Sequence, residues 1–301
     1  MTLEQLRIFV AVAERLHVTR AAEALNITQS AASSAIQALE GRLGAPLFHR
    51  LGRRIELTET GRVLLPEARA ILNRVSNAEQ AVAELESLLR GRLRLWASQT
   101  IAGYWLPRWM HSFNVAHPQV GLELHVGNSE TVSRAVIDGE GDIGFIEGDV
   151  AEPLLAAVSV GVDRLVLVTA SSQVGVKQFK LADLVKLRWV LREKGSGTRQ
   201  IFEKALRKYG VDQTQLDVVM ELPSNEAVCS AVEAGAGATV ISMLVVAQKL
   251  AAGTLIELPV VFPERQFLAL RHGDRHRSRA ENVFLDMMRG GHTRKTQGQR
   301  I

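Results

Sequence analysis

The chain has 301 residues, 47% of them hydrophobic and 23% charged, a length that fits two or three domains and a composition that excludes general disorder and collagen-like repeats. Its single cysteine, Cys229, rules out an internal disulfide or a cysteine-based zinc site and is expected to be buried. The net charge of +4 is local: residues 271–301 carry a net +5, so the remainder stands at −1 and any nucleic-acid role has to rest on local arrangement.

At the amino end, Thr2 and Gln5 have capping-box spacing, and Leu6, Phe9, Val10, Ala13 and Leu16 recur at helical intervals, which predicts a helix over 3–16. Thr19 is expected to cap a short helix through Ala21, Ala22 and Leu25 that stops at Asn26, and Thr28 to cap a third. In the third helix Ala32, Ile36, Leu39 and Leu43 share one face, while Gln29, Ser30, Ser33 and Gln37 share the other. A solvated face would carry Glu and Lys, yet no charge appears until Glu40. Two helices joined by the tight Asn26-Ile27-Thr28 turn read as a helix-turn-helix whose second helix meets base edges, where glutamine pairs with adenine and serine with several partners. Spacing alone leaves a structural three-helix bundle as the alternative. After Pro46-Leu47-Phe48, the residues His49, Arg50, Arg53 and Arg54 surround Gly52, and 54–58 alternate as a strand: a basic hairpin suited to phosphates or a narrow minor groove.

The order of these pieces resembles the LysR-type bacterial transcriptional regulators. It is carried by Leu3 to Phe9, Ala21 to Leu25, Thr28 to Ser33, Leu39-Glu40, Leu43 to Arg50 and Leu57 to Gly61. The resemblance implies a winged helix-turn-helix over 1–58, with Gln29, Ser30, Ser33, Ser34 and Gln37 facing bases after the Thr28 cap. It also implies Arg50, Arg53 and Arg54 near the backbone or minor groove. Ser33-Ser34 stands where an arginine is frequent in the family.

From Thr58, the expected cap, apolar residues recur at Leu64, Ala68, Ile71, Val75, Ala78, Val82, Leu85 and Leu89, a heptad seam. The linker is expected over 59–90, a helix of about 45 Å at 1.5 Å per residue. Its stripe predicts a homodimer through 60–89, with packing inside its own chain as the rival reading; the resemblance adds the homotetramer that many relatives form. Pro66 is expected near a bend and Gly91 at the end.

Beyond Gly91 short apolar runs predict strands at Arg92–Ala97, Val120–Val126, Asp142–Ile146, Arg164–Thr169, Trp189–Leu191, Leu216–Glu221, Ala238–Ile241, Leu255–Leu258 and Phe267–Leu270. Helices fill the intervals, notably 101–115, 198–209, 225–234 and 278–289. This α/β region, 91–301, is similar to the family's two-subdomain, periplasmic-binding-protein-like effector domain. The expected division is subdomain I at 91–161 and 266–290, subdomain II at 162–265, and a solvated or disordered tail at 291–301.

A ligand between the subdomains would meet three polar turns at strand ends: Ser98-Gln99-Thr100, Gly127-Asn128-Ser129 and Gly195 to Arg199. Hydroxyls and free amides at helix starts suit an anion. The bland alternative is that Ser98, Ser129 and Thr198 merely cap their helices. The expected effector-binding residues are Ser98, Gln99, Thr100, Ser129, Glu147, Ser196 and Thr198. By resemblance of Gly195 to Arg199 to sulfur-assimilation regulators, the effector is expected to be a small oxyanion such as sulfite or sulfate, or a short carboxylate.

No Gly-Lys phosphate loop, nucleophile elbow or His-Glu zinc motif argues for an enzyme, and no metal or cofactor is expected. His272 and His276 share i, i+4 spacing but sit in an Arg-rich stretch. An exported solute-binding protein is the stronger rival, yet the first twenty residues hold no signal-peptide run, and a heptad helix would serve it no purpose. The reading is a cytoplasmic regulator with double-stranded DNA, a small effector, its own copies and RNA polymerase as partners, and no membrane.

Overall fold

The computed structural model describes residues 1–51, 54–83, 90–150, 152–173, 179–275 and 277–297. Two compact units make up the chain, one from Met1–Glu86 with Asp138–Glu140 and the other from Ser87–Ile137 with Gly141–Ile301.

In the first unit α1 (Leu3–Arg15) opens with the expected capping box: the Gln5 amide donates to Thr2 Oγ1 at 3.2 Å and the Thr2 amide to Gln5 Oε1 at 2.9 Å. α2 (Val18–Ala24) begins earlier than expected. His17 caps it through Nδ1, which accepts from the Arg20 amide, so Thr19 lies within the first turn and is not the cap. Asn26 takes a left-handed φ of 54° and lets the chain turn into α3 (Gln29–Leu43). Thr28 caps α3 by accepting from the Ala31 amide, and Gly44 ends it at φ 69°. Ala32, Ile36 and Leu39 are buried as predicted, but Leu43, the last residue of the helix, is 41% exposed and leaves that face.

β1 (Phe48–Leu51) and β2 (Arg54–Leu57) pair antiparallel, Phe48 opposite Leu57. α4 (Glu59–Ala83) follows, 25 residues or about 37 Å of helix. Thr58 caps it, accepting from the Gly61 amide at 2.9 Å and donating to the Pro46 carbonyl at 2.8 Å. Its heptad seam divides. Ala68 is fully buried, and Leu64 and Ile71 pack on the core made by Leu6, Phe9, Val12, Leu39 and Leu47. That half of the stripe is therefore taken up within its own chain, against the expectation of one continuous intermolecular seam. Val82, further along, is 67% exposed, and the remaining seam positions Leu85 and Leu89 lie outside the described residues.

The second unit runs β3 (Gly91–Ser98), α5 (Gln99–Tyr104), α6 (Leu106–Ala116), β4 (Val120–Gly127), α7 (Ser129–Asp138), β5 (Ile143–Glu147) and β6 (Leu155–Asp163). It continues through β7 (Leu165–Ala170), β8 (Arg188–Arg192), α8 (Gly197–Lys208), β9 (Asp217–Leu222), α9 (Asn225–Glu233) and β10 (Ala238–Ser242). α10 (Met243–Ala251), β11 (Leu255–Leu258), β12 (Arg265–His272) and α11 (Arg279–Gln297) complete it. The single helix expected over 101–115 is broken at Trp105, where Pro107 at the start of α6 cannot donate to a preceding turn. α11 carries on as helix to Gln297, so 291–297 is not the disordered tail expected there.

Two five-stranded sheets result, ordered β4-β3-β5-β12-β6 and β11-β7-β10-β8-β9. In the first, β3, β4 and β5 run parallel, with Ser98 opposite Gly127 and Ala97 opposite Phe145, so Ser98, Gly127 and Glu147 end along one edge. In the second, β8, β9 and β10 run parallel and end at Arg192, Leu222 and Ser242. The chain leaves the first sheet after Asp163 and re-enters it at Arg265, which stands opposite Asp163 in the ladder. Each sheet has its own apolar core, around Leu95, Phe113, Phe145 and Phe284 in one and Leu167, Trp189, Phe202 and Val240 in the other.

Candidate functional site

On the first unit, Gln29, Ser30, Ser34 and Gln37 are exposed along α3 and Ser33 is half-buried, giving one uncharged face of amides and hydroxyls. Thr28 and Ser30 share a hydroxyl hydrogen bond of 3.0 Å at its start. The nearest acid, Glu40, turns away from that face: its Oε1 accepts from the Leu47 amide at 2.7 Å and the Phe48 amide at 3.3 Å, tying α3 to the hairpin. An anion that would repel phosphate is thus fixed to backbone donors. Arg50 and Arg54 fall in β1 and β2 beside α3 in sequence, while Arg53 lies outside the described residues.

In the second unit the predicted polar turns collect where the parallel strands of both sheets end. Ser98, Thr100, Ser129, Glu147, Ser196 and Thr198 are all buried, and Gln99 half-buried. Capping does not account for the three hydroxyls singled out. Ser98 and Ser196 make no side-chain cap bond. Asn128, not Ser129, accepts from the Thr131 amide at the start of α7. Ser129 Oγ instead donates toward the Glu147 carbonyl at 3.3 Å, and Thr198 Oγ1 accepts from Arg265 Nη1 at 2.9 Å. Ser98 Oγ is buried without a hydrogen-bond partner among the described residues. A polar atom so placed costs about 1–3 kcal/mol unless something bonds to it.

Residues that sequence reasoning missed join the two halves. Asn225 donates through Nδ2 to Thr100 Oγ1 at 3.2 Å, accepts at Oδ1 from Arg192 Nη1 at 2.6 Å, and its amide donates to Gln99 Oε1 at 3.0 Å. Tyr104 donates to Glu226 at 3.2 Å, and burial followed by the Glu226 charge pushes its phenol up to about 12. Arg265 is buried between the subdomains, with Nε on Asp163 Oδ2 at 2.7 Å and Nη2 2.6 Å from the same oxygen, while Asp163 Oδ1 accepts from Ser242. α8 arrives without a side chain in the way: a Cβ on Gly197 would lie 2.4 Å from the Glu147 carbonyl oxygen and 2.5 Å from Ser129 Oγ. Cys229 is buried as expected, and burial pushes its thiol up to about 11.

An amino-terminal helix-turn-helix with a hairpin wing, followed by two α/β subdomains that gather polar groups at facing strand ends, defines a ligand-responsive transcriptional regulator. Residues 3–62 match the model of the bacterial regulatory helix-turn-helix protein, lysR family, and residues 86–292 match that of the LysR substrate binding domain. The chain belongs to the LysR family. It is 39% identical to the uncharacterized HTH-type transcriptional regulator YeiE of Escherichia coli (strain K12), over 95% of this chain and 96% of that protein. The fold is similar to full-length CbnR in complex with its target DNA, with a TM-score of 0.70 at 22% identity, covering 96% of this chain and 99% of CbnR. It is also similar to the regulatory domain of CcmR from Synechocystis PCC6803 in complex with 2-PG, with a TM-score of 0.61 at 27% identity, covering 67% of this chain and 97% of that domain. No helix among the described residues is long and apolar enough to cross a membrane.

Proposed function

We propose that the chain reads operator DNA through Thr28, Gln29, Ser30, Ser33, Ser34 and Gln37, with Arg50, Arg53 and Arg54 on the flanking backbone or minor groove. It acts as a homodimer, or a pair of dimers, held by the distal part of α4, and addresses RNA polymerase at the promoter. Its switch is a small anion, a sulfur oxyanion or short carboxylate, held between the subdomains by Ser98, Gln99, Thr100, Ser129, Glu147, Ser196 and Thr198. The single observation behind this reading is the buried Ser98 hydroxyl without a partner, beside Ser129 and Thr198 hydroxyls that cap no helix. A similar regulatory domain in complex with 2-PG supports a small ligand. Effector binding shifts the population between two angles of the subdomains, which requires unequal affinity for the two states. Fluorescence anisotropy on duplex from the adjacent promoter tests this. Affinity should fall steeply as salt rises and change when sulfite or a short carboxylate is titrated in. Indifference to duplex sequence and to every added anion would refute it.

A further inference from the structure

One buried donor beside the join of the two sheets is left without a hydrogen bond. Arg265, 3% exposed, opens β12; its Nε donates to Asp163 Oδ2 at 2.7 Å and its Nη1 to Thr198 Oγ1 at 2.9 Å. Nη2 lies 2.6 Å from Asp163 Oδ2 as an ion pair, yet it is buried with no hydrogen-bond partner among the described residues. Next to it stands Glu147, 2% exposed, whose Oε1 is 3.7 Å from Nη2 and whose Oε2 has the Ser129 hydroxyl at 3.4 Å. A buried donor and a buried carboxylate therefore face each other about 1 Å short of a charge-assisted bond.

The residues around this guanidinium belong to different bodies. Glu147 ends β5 and stands opposite Phe267 of β12, so it shares the first sheet with Arg265. Thr198 belongs to α8, whose Phe202 and Leu206 pack in the core of the second sheet. Nη1 thus bonds across to the neighbouring subdomain, while the carboxylate on the guanidinium's own sheet goes without its bond. Asp163 stands opposite Arg265 in the ladder of β6 and β12, so the Nε bond to it can persist as a pivot in either arrangement. α8 is seated closely at this point, because a Cβ on Gly197 would lie 2.4 Å from the Glu147 carbonyl oxygen.

We infer that Arg265 is a two-position side-chain switch, set by whether α8 is docked on the first sheet. With α8 docked, Nη1 holds Thr198 and Nη2 stays unbonded. With α8 withdrawn, the guanidinium turns about its Asp163 bond and Nη2 closes on Glu147. Each arrangement makes a bond that the other leaves unmade, which draws the two together in free energy and gives the fold a bistable element. The switch is a property of the chain itself and operates without a bound ligand.

Double electron–electron resonance on the full chain without added ligand reads the separation of the subdomains. Spin labels go at Arg134→Cys on α7 and Gln248→Cys on α10, both exposed positions, and unlabelled protein is mixed in so that distances lie within one chain. Thr198→Val keeps the shape of the side chain and removes the acceptor; it should lower the docked population about tenfold, the loss expected of a hydrogen bond to a charged group. Thr198→Ser, which keeps the hydroxyl, should retain the natural distribution. Adding Glu147→Gln to Thr198→Val removes the competing anion and should bring the docked distance back, so that a second lost interaction offsets the first. A merely structural role predicts the reverse, with the double variant displaced further. An unmoved distribution in Thr198→Val, or a double variant no nearer the natural distribution than the single one, would overturn the switch. Neither result bears on the effector reading, since no ligand enters the measurement.

Discussion

Gln29 stands in the first turn of α3, exposed and uncharged, where its amide can both donate to and accept from one adenine. Replacing Gln29 by Ala should lower the preference for matched over mismatched operator by about 1–3 kcal/mol; a competition assay that returns the same preference would remove it from base recognition. A second residue makes the protein's stability depend on pH. Glu281, at the start of α11, accepts from the Ser278 amide at 3.2 Å, yet burial first, then the Asp142 charge, pushes its carboxyl up to about 7 from 4.5. The folded state holds that proton more tightly than the unfolded chain, so stability is present below about 4.5 and declines as pH rises to about 7. Glu281→Gln keeps the acceptor and removes the titration, and urea midpoints between pH 5 and 8 should fall for the natural protein and flatten for the variant. Parallel slopes would count against it. Caps at Thr2 and Thr28 were legible because their partners sit three residues away. The Arg265–Asp163 pair was not, because its partners are 102 positions apart and meet only through strand register.

Periodicity revealed α4, but periodicity cannot say which molecule covers a stripe. Its first half closes over the core of its own unit through Ala68 and Ile71, whereas Val82 beyond it is exposed and is the position the proposed dimer would cover. Val82→Asp should therefore convert dimer to monomer in sedimentation without unfolding the helix-turn-helix, whereas an unchanged dimer would place the interface elsewhere. β6 escaped notice for a compositional reason. Ala156, Ala157 and Gly161 have low strand propensity, and the strand earns its place by pairing eight residues with β12. Gly197 illustrates a close approach that sequence shows only as one glycine in a run. Gly197→Ala would force a Cβ to within 2.4 Å of the Glu147 carbonyl, costing about 1–3 kcal/mol by the usual measure of overpacking. Gly103→Ala, with nothing within 4 Å of its new methyl, serves as the neutral control in the same denaturation series. Equal midpoints for the two variants would mean the α8 contact yields readily.

For the molecule as a whole, alternating strands and helices identified the α/β class, and the ordered amino-terminal motifs identified the family; neither carried the partners across the subdomains, which depend on side chains brought together by the two sheets. Coupling between effector and DNA has a quantitative signature. If an anion changes operator affinity by some factor, saturating operator must change anion affinity by the same factor. Titrating sulfite with and without operator should return matching ratios, and a mismatch beyond error would mean that the two ligands are not linked through one equilibrium.

Asp163 and Arg265 lie opposite each other where the outgoing and returning chains pass between the sheets. Two bonded ribbons travelling together resist shear and splay far better than twist, so a rotation about their common direction would be the least resisted movement of one leaf against the other. The guanidinium rides close to that line, gripping Thr198 on one leaf and facing Glu147 on the other. Any rotation of one leaf against the other would have to lengthen or shorten these contacts of Arg265 before it disturbed the ladder beside them.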